Sequence, residues 1–310
     1  MNDQEGSDWI HFHDNLKRNP FFGEVQHRLI PDGRREVRVI IAPSGSIGFE
    51  LACSALAVDG SKSMMPQFGA HLPPILRRNK NLINPLLIEL ASFLAKNSQG
   101  QVLATYWACG NEGADFEPLG LLQLGDLGGF AFTGPQNWGG GTQITPIVNY
   151  FWESVFSTVK GQSYALIVTD GAWSEKDQES LLDLTGEICN QIAAGSRDRV
   201  KFVVLAIRTE TNTGDLDSIQ ARFTSLDDYE HPTGIDIWDH KWLHEITDYA
   251  ELFVEMLQDT EMNIGGRVFA DGVECYATDN LKFGFQFLIP ATAPGFTLQI
   301  SDMELYQAIQ

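Results

Sequence analysis

An aspartate and two serines follow an apolar run of the chain in the pattern D-x-S-x-S. The run LACSALAV leads directly into Asp59, and Ser61 and Ser63 come after it. Thr142 closes the glycine-rich segment GGGT, and Asp170 follows the apolar run SYALIVT. Carboxylate and hydroxyl oxygens are hard ligands that suit Mg²⁺, Mn²⁺ or Ca²⁺. The five residues therefore predict a divalent-cation site, with Mg²⁺ preferred and Mn²⁺ or Ca²⁺ as alternatives.

Two carboxylates leave such a cation with room for a ligand from outside the protein, because Mg²⁺ prefers six oxygens in octahedral geometry. We expect that ligand to be an Asp or Glu side chain of a partner protein. Lys62, Gly141 and Gly171 lie next to the predicted ligands in the sequence and are expected to lie near the incoming carboxylate. The Lys62 ammonium could point away, pair with that carboxylate, or weaken cation binding by repulsion.

Two other interpretations of the same residues remain open. Strand-end Asp and Ser side chains often cap the following backbone without binding any ligand, and Lys62 could then stand in for a lost cation in a degenerate module. A metal-dependent hydrolase or phosphatase is the other alternative, and only Asp59 or Asp170 could serve as its general base. A zinc site of His240, His244 and Asp248 is also conceivable, but its order differs from H-E-x-x-H.

The elements that would position these residues alternate between strands and helices. Apolar runs predict strands, helical periodicity predicts helices, and the glycine-rich stretch at 116–141 is expected to be irregular. The predicted strands lie at 37–42, 49–58, 101–110, 163–169 and 200–208, and the predicted helices at 84–97, 142–161, 176–194 and 240–258. Such alternation predicts an α/β fold with a doubly wound, mostly parallel, Rossmann-like sheet flanked by helices.

From about residue 262 the sequence contains only short β-like runs separated by turn signals such as Asp-Gly and Pro-Gly. We expect this segment to pair with the N-terminal strand and form a small β subdomain. The predicted organisation is an N-terminal arm at 1–35, β-subdomain strands at 36–50, an α/β domain at 51–260 and a C-terminal β segment at 261–310.

The motifs DGSKS at 59–63, GGGT at 139–142 and TDG at 169–171, in this order, resemble the metal-ion-dependent adhesion site of von Willebrand factor A (vWA) domains. The resemblance covers roughly 50–260 and extends to intracellular bacterial vWA proteins of the tellurite-resistance and stress-response type. It implies a non-enzymatic module that binds an acidic partner through the cation. It also implies scaffolding in a bacterial stress-response or defence system, with an AAA+ ATPase or a stress-response operon protein as partner.

Composition excludes several other classes of protein. The chain has 21 Lys and Arg against 41 Asp and Glu, a formal charge of -20, which disfavours nucleic-acid binding. No apolar run reaches the length of a membrane span, so no membrane association is expected. The four cysteines form no C-x-x-C pair and are interpreted as reduced, buried thiols, which predicts a cytoplasmic protein: Cys53, Cys109, Cys189 and Cys275.

Overall fold

The chain divides into two compact units in the computed structural model. One unit combines Met1–Phe49 with Asp248–Gln310, and the other is Glu50–Thr247. We call them the terminal unit and the central unit. The structure describes residues 9–11, 19, 21–41, 51–70, 81–171, 173–208, 216–246, 249, 252 and 264–309.

Strands predominate among the elements of these residues. The strands are β1 (Ile10–His11), β2 (Phe22–Leu29), β3 (Arg34–Ile41), β4 (Cys53–Asp59), β5 (Gln101–Cys109), β6 (Asp115–Gln123), β7 (Ser163–Thr169), β8 (Val200–Ala206), β9 (Trp238–Trp242), β10 (Gly266–Ala270), β11 (Val273–Thr278), β12 (Gly284–Pro290), β13 (Gly295–Ile300) and β14 (Met303–Ala308). The α-helices are α1 (Asn84–Lys96), α2 (Thr145–Tyr150), α3 (Glu175–Ala193) and α4 (Leu216–Asp227). Helix α2 continues as a π-helix, Phe151–Val155, and a 3₁₀ turn, Phe156–Thr158.

The central unit is built around a six-stranded sheet in the order β6-β5-β4-β7-β8-β9. Five strands are parallel, and β6 pairs with β5 in the antiparallel sense. Every residue of β7 and β8 is buried, as expected for strands covered on both faces. Because β4 and β7 are parallel neighbours, their carboxyl ends meet at one edge of the sheet, and this edge carries Asp59 and Asp170.

Helix α3 shows how the flanking helices attach. Ser174 caps its first turn by accepting a hydrogen bond from the backbone N–H of Asp177 at 3.2 Å. Its apolar face buries Leu181, Ile188 and Ile192 at helical spacing. These side chains join a core cluster that also contains Phe202 and other aromatic residues of the sheet and of α2.

The terminal unit contains two four-stranded antiparallel sheets, ordered β1-β2-β3-β12 and β11-β10-β13-β14. Strand β3 lies between β2 and β12, and its pairing with β12 runs from Arg34 opposite Pro290 to Ile40 opposite Gly284. The turn from β10 to β11 is Asp271-Gly272, with both φ angles positive at 51° and 76°. Two residues with positive φ match the twist of a tight hairpin, and Asp-Gly is a preferred pair for it.

The prediction of a doubly wound, mostly parallel fold is wrong for the chain as a whole. Parallel pairing is confined to one of the three sheets, and eight strands belong to the two antiparallel sheets of the terminal unit. The β part is therefore not a small addition. The physical reason is the number of tight turns: short hairpin connections favour antiparallel neighbours, whereas a parallel pair needs a long crossover.

Three local predictions also differ from the structure. The stretch at 116–141, expected to be irregular, contains most of β6. The helix expected at 240–258 begins instead as part of β9, followed by a 3₁₀ turn at Leu243–Glu245, and most of its remainder lies outside the described residues. Strand β2 lies inside the predicted N-terminal arm. The helices expected at 84–97 and 176–194 are confirmed as α1 and α3.

Within the described residues, no helix combines the length and the apolar character needed to cross a membrane.

Candidate functional site

A continuous chain of hydrogen bonds links four of the five predicted ligands at the carboxyl edge of the central sheet. The Ser61 N–H donates to Asp59 Oδ1 at 2.7 Å. The Ser61 and Ser63 hydroxyls are 2.8 Å apart, and the Ser63 hydroxyl donates to Asp170 Oδ1 at 2.7 Å. The Thr169 hydroxyl donates to Asp59 Oδ2 at 2.6 Å. The loops after β4 and β7 thus bring two carboxylates and two serine hydroxyls to one place.

The two aspartates are almost completely inaccessible, with Asp59 exposed by 0% and Asp170 by 2%. The pKa of Asp59 is raised from 3.8 to about 7, mainly by burial and then by repulsion from Asp170, against the opposing effect of hydrogen bonds from Thr169 and Ser61. Two buried carboxylates are costly to ionise together unless a positive charge lies next to them. The site is therefore chemically prepared for a cation.

The GGGT loop is held against this site by backbone contacts. The Gly139 N–H donates to Gly60 O at 2.9 Å, and the Lys62 N–H donates to Gly139 O at 3.0 Å. A Cβ atom on residue 139 would lie 1.7 Å from the carbonyl oxygen of Ala108, so only glycine allows this approach. Thr142 follows three residues later; within the described residues no hydrogen bond joins its side chain to the other four predicted ligands.

The three residues expected near an incoming ligand lie on these same loops. Lys62 is exposed and borders the site between the two serines. The Gly171 N–H donates to the Thr169 hydroxyl at 3.1 Å, which helps to fix the turn after β7. Gly141 packs closely, since a Cβ atom there would lie 2.9 Å from Glu112 O. Their proximity to a bound ligand stays a prediction.

Sequence reasoning missed the role of Thr169. Its hydroxyl also contacts Gly171 O at 3.1 Å, so it ties the β7 turn to the carboxylate at the end of β4. The only sequence signal was its place before Asp170 in the motif TDG, since a threonine at the end of an otherwise apolar, buried strand needs a polar partner.

A second cluster of possible metal ligands lies between the end of helix α4 and the outermost strand β9. Single atoms of Asp227, Asp239 and His240 lie within 4.8 Å of one another. Trp242 Nε1 donates to Gln220 Oε1 at 2.6 Å, so the Gln220 amide nitrogen faces His240 Nε2 at 3.0 Å. His240 Nε2 must then accept a hydrogen bond from the Gln220 amide.

The proton of His240 consequently sits on Nδ1, which lies 3.2 Å from Asp227 Oδ2. A metal on Nδ1 would require the opposite tautomer, with Nε2 donating to an acceptor. Lys241 Nζ lies 3.1 Å from Asp239 Oδ1 and competes for that carboxylate. The Lys241 ammonium already offsets the Asp239 carboxylate, so we assign no metal to this cluster, in which the buried His240 Nδ1 makes no hydrogen bond to the described residues. Of the residues in the conceivable zinc site, Asp248 lies outside the described residues.

All four cysteines are free thiols in the structure, two of them buried and two partly exposed. Burial is the main cause that raises the pKa of Cys109 to about 12 and the pKa of Cys189 to about 11. These two thiols are therefore poor nucleophiles, because the thiolate is the reactive form.

Comparisons with known proteins place the chain in no family. No family model matches the sequence, and no curated protein matches it. Similar solved structures include the pilus adhesin SpaC from Lactobacillus rhamnosus GG, with 12% identity and a TM-score of 0.38, and the PilB minor pilin from Streptococcus sanguinis, with 9% identity and a TM-score of 0.38. The match to SpaC covers 99% of this chain and 49% of SpaC, so this chain spans about half the length of SpaC. The match to PilB covers 75% of this chain and 76% of PilB.

The predicted membership of the vWA family is wrong on these comparisons, since neither a family model nor a curated protein matches the sequence. The predicted role as a scaffold of the stress-response or tellurite-resistance type, built on a vWA metal-ion-dependent adhesion site, is wrong with it, whereas the acidic partner stays a prediction. The physical reason is that DGSKS, GGGT and TDG are short. Turn-forming Asp, Ser and Gly recur at strand ends for local backbone reasons, so few residues specified the family.

Proposed function

We propose that this protein is a divalent-cation-binding protein whose cation lies between the loops that follow β4 and β7. The observation that carries the proposal is the pair of buried carboxylates, Asp59 and Asp170, linked through two serine hydroxyls. Ser61, Ser63 and Asp170 offer oxygens to the cation, and Asp59 orients the loop through the Ser61 N–H. Thr142, on the adjoining loop, is the candidate for an additional ligand.

Mg²⁺ fits this donor set best, with Mn²⁺ and Ca²⁺ as alternatives, because hard oxygens are its preferred ligands and it retains waters in an incomplete protein shell. Binding rather than catalysis is proposed, since both oxygens of Asp59 accept hydrogen bonds and its side chain is sealed from solvent. A cytoplasmic location and a partner that supplies Asp or Glu stay predictions.

The test is a calorimetric titration of Mg²⁺, Mn²⁺ and Ca²⁺ into protein stripped with chelator, at pH 8, where Asp59 is largely ionised. We expect saturable binding of one cation. Ser63→Ala removes the hydroxyl that contacts both Ser61 and Asp170, so affinity should fall about tenfold or more. Ser180→Ala is the matched control, because this exposed helical serine bonds only locally, to Lys176 O.

Two results would contradict the proposal. One is equal cation affinity in Ser63→Ala, Asp59→Asn and the unaltered protein, which would place any binding elsewhere. The other is the absence of binding for all three cations at millimolar concentration in protein whose circular dichroism spectrum is native.

A further inference from the structure

A groove of about 670 Å³ lies beside the cation site, at the same edge of the central sheet. We call it the Trp138 groove and define it by the residues used below: Lys62, Asn111, Asp115, Gln136, Asn137 and Trp138. Its volume falls in the range of small-molecule sites, roughly 300–1,000 Å³. The residues that line this groove include none of the five predicted cation ligands.

The indole of Trp138 forms a fixed apolar surface in the groove. Phe68 supports it in an edge contact, with ring centroids 5.5 Å apart and an interplanar angle of 66°. On another side, a Cβ atom on residue 134 would lie 2.4 Å from Trp138 Cζ2, so the glycine there allows close packing against the ring. Trp138 is only half-buried, and its remaining surface is available to a ligand in a preorganised position.

Five exposed polar side chains line the groove together with this indole: Lys62, Asn111, Asp115, Gln136 and Asn137. Within the part of the chain that the structure describes, no hydrogen bond or ion pair engages any of these five side chains. The segment that carries two of them is nevertheless fixed. Glu117 accepts hydrogen bonds from the backbone N–H groups of Gln136 and Asn137 at 2.7 and 2.8 Å.

The charges and donors of the groove select one class of ligand. Of the three charged side chains in the lining, Lys62 and Asp115 carry opposite charges, and both carboxylate oxygens of Glu117 are already engaged by backbone N–H groups, so neither a cationic nor an anionic ligand is strongly favoured. The formal charge of -20 on the whole chain further opposes polyanions. The three side-chain amides each offer donors and acceptors, which is also the pattern of an alcohol hydroxyl.

A neutral ligand with many hydroxyls and one apolar face satisfies all of these features. A pyranose ring has this chemistry, because its C–H groups form an apolar face and its hydroxyls project around the rim. We propose that the Trp138 groove binds a neutral carbohydrate, with the sugar ring on the indole and its hydroxyls bonded to the amides of Asn111, Gln136 and Asn137. This site is a neighbour of the cation site and does not require the cation.

The test is binding of the protein, at saturating Mg²⁺, to an array of neutral di- to tetrasaccharides of glucose, galactose, mannose and N-acetylglucosamine. Sialylated glycans, sulfated glycans and glutamate-containing peptides form separate arms. We expect selective binding to neutral saccharides. The best disaccharide on the array is then titrated by calorimetry, and we expect Trp138→Ala to lower its affinity tenfold or more.

Control variants separate the groove from the fold and from the cation. Asn190→Ala, an exposed amide on α3, should bind saccharide normally. Asn111→Ala and Asn137→Ala alter exposed side chains and should each weaken binding several-fold, which keeps the test decisive if Trp138→Ala does not fold. Ser63→Ala should weaken cation binding and leave saccharide binding unchanged, so the two proposals fail separately.

Absence of binding to every neutral saccharide would overturn the carbohydrate proposal. So would stronger binding to sulfated glycans or to the acidic peptides, or saccharide binding that survives Trp138→Ala and both asparagine variants.

Discussion

At the scale of single residues, Asp59 should make the cation-free protein less stable as pH rises. Its pKa is raised from 3.8 to about 7 in the folded protein, first by burial and then by Asp170. Between these pH values the folded state binds more protons than the unfolded state, so the free energy of unfolding falls with increasing pH. The full effect corresponds to roughly 4 kcal/mol.

The measurement is urea unfolding in chelator from pH 4 to pH 8. The control is Asp59→Asn, whose amide can accept from the Ser61 N–H and donate to the Thr169 hydroxyl without titrating. We expect the difference in stability between Asp59→Asn and the unaltered protein to grow over this range and then level off above pH 7. A difference that stays constant with pH would show that the Asp59 pKa is ordinary. Saturating Mg²⁺ should reduce the effect, because a cation stabilises the ionised carboxylate.

The residue types at the site were readable from the sequence because each follows an apolar run. Asp59 and Asp170 occur where buried strands end, and the carboxyl ends of neighbouring parallel strands must converge. What the sequence could not show is the bonding between them. Whether the Ser63 hydroxyl reaches Asp170, and whether Thr169 reaches back to Asp59, depends on side-chain positions set by the packing of both loops.

At the scale of elements, the site depends on how closely the GGGT loop approaches β5. Gly139→Ala would place a methyl group against the Ala108 carbonyl, a backbone atom that cannot move aside. We expect a loss of about 1–3 kcal/mol in the free energy of unfolding and weaker cation binding, because the Ser61 turn pairs with Gly139. Urea unfolding and Mg²⁺ titration measure the two effects.

Gly125→Ala is the matched control for Gly139→Ala. An added Cβ atom at residue 125 meets nothing within 4 Å, and neither glycine has a positive φ. Equal stability of the two variants would show that the loop can relax away from β5 and that the close approach is not required.

Strand β6 shows why one element escaped prediction. Its residues Pro118 and Gly120 are unfavourable in strand interiors, and Gly120 has a positive φ of 93°. The ladder to β5 has irregular register at two places, so the alternation of apolar and polar residues is broken. An edge strand tolerates these features because it forms backbone hydrogen bonds with only one neighbouring strand. Strands β7 and β8 are paired and covered on all sides, and their continuous apolar sequences predicted them directly.

At the scale of the whole molecule, the terminal unit should lose its folded structure when its last strands are removed. Deleting residues 284–310 takes away β12 and leaves β3 with one neighbour. We expect trypsin to cut at Arg34, Arg35 and Arg38 in the shortened chain much faster than in the complete one, because these arginines lie in β3. Mass spectrometry of a brief digest gives the cleavage sites, and Mg²⁺ binding by the central unit should persist. Unchanged protection of these arginines would contradict the pairing.

The antiparallel pairing of β3 with β12 also constrains the order of events during synthesis. Ile40 is made before its partner Gly284, which emerges from the ribosome on the order of tens of seconds later, at about 5–20 residues per second. Throughout that interval three residues of β3 are only partly shielded from water, although all are fully buried in the folded protein: Val37, Val39 and Ile41. The central unit has its whole sequence in one stretch and is free to fold first. A nascent hairpin of β2 and β3 therefore needs its apolar face shielded, for example by a chaperone, until β12 is available.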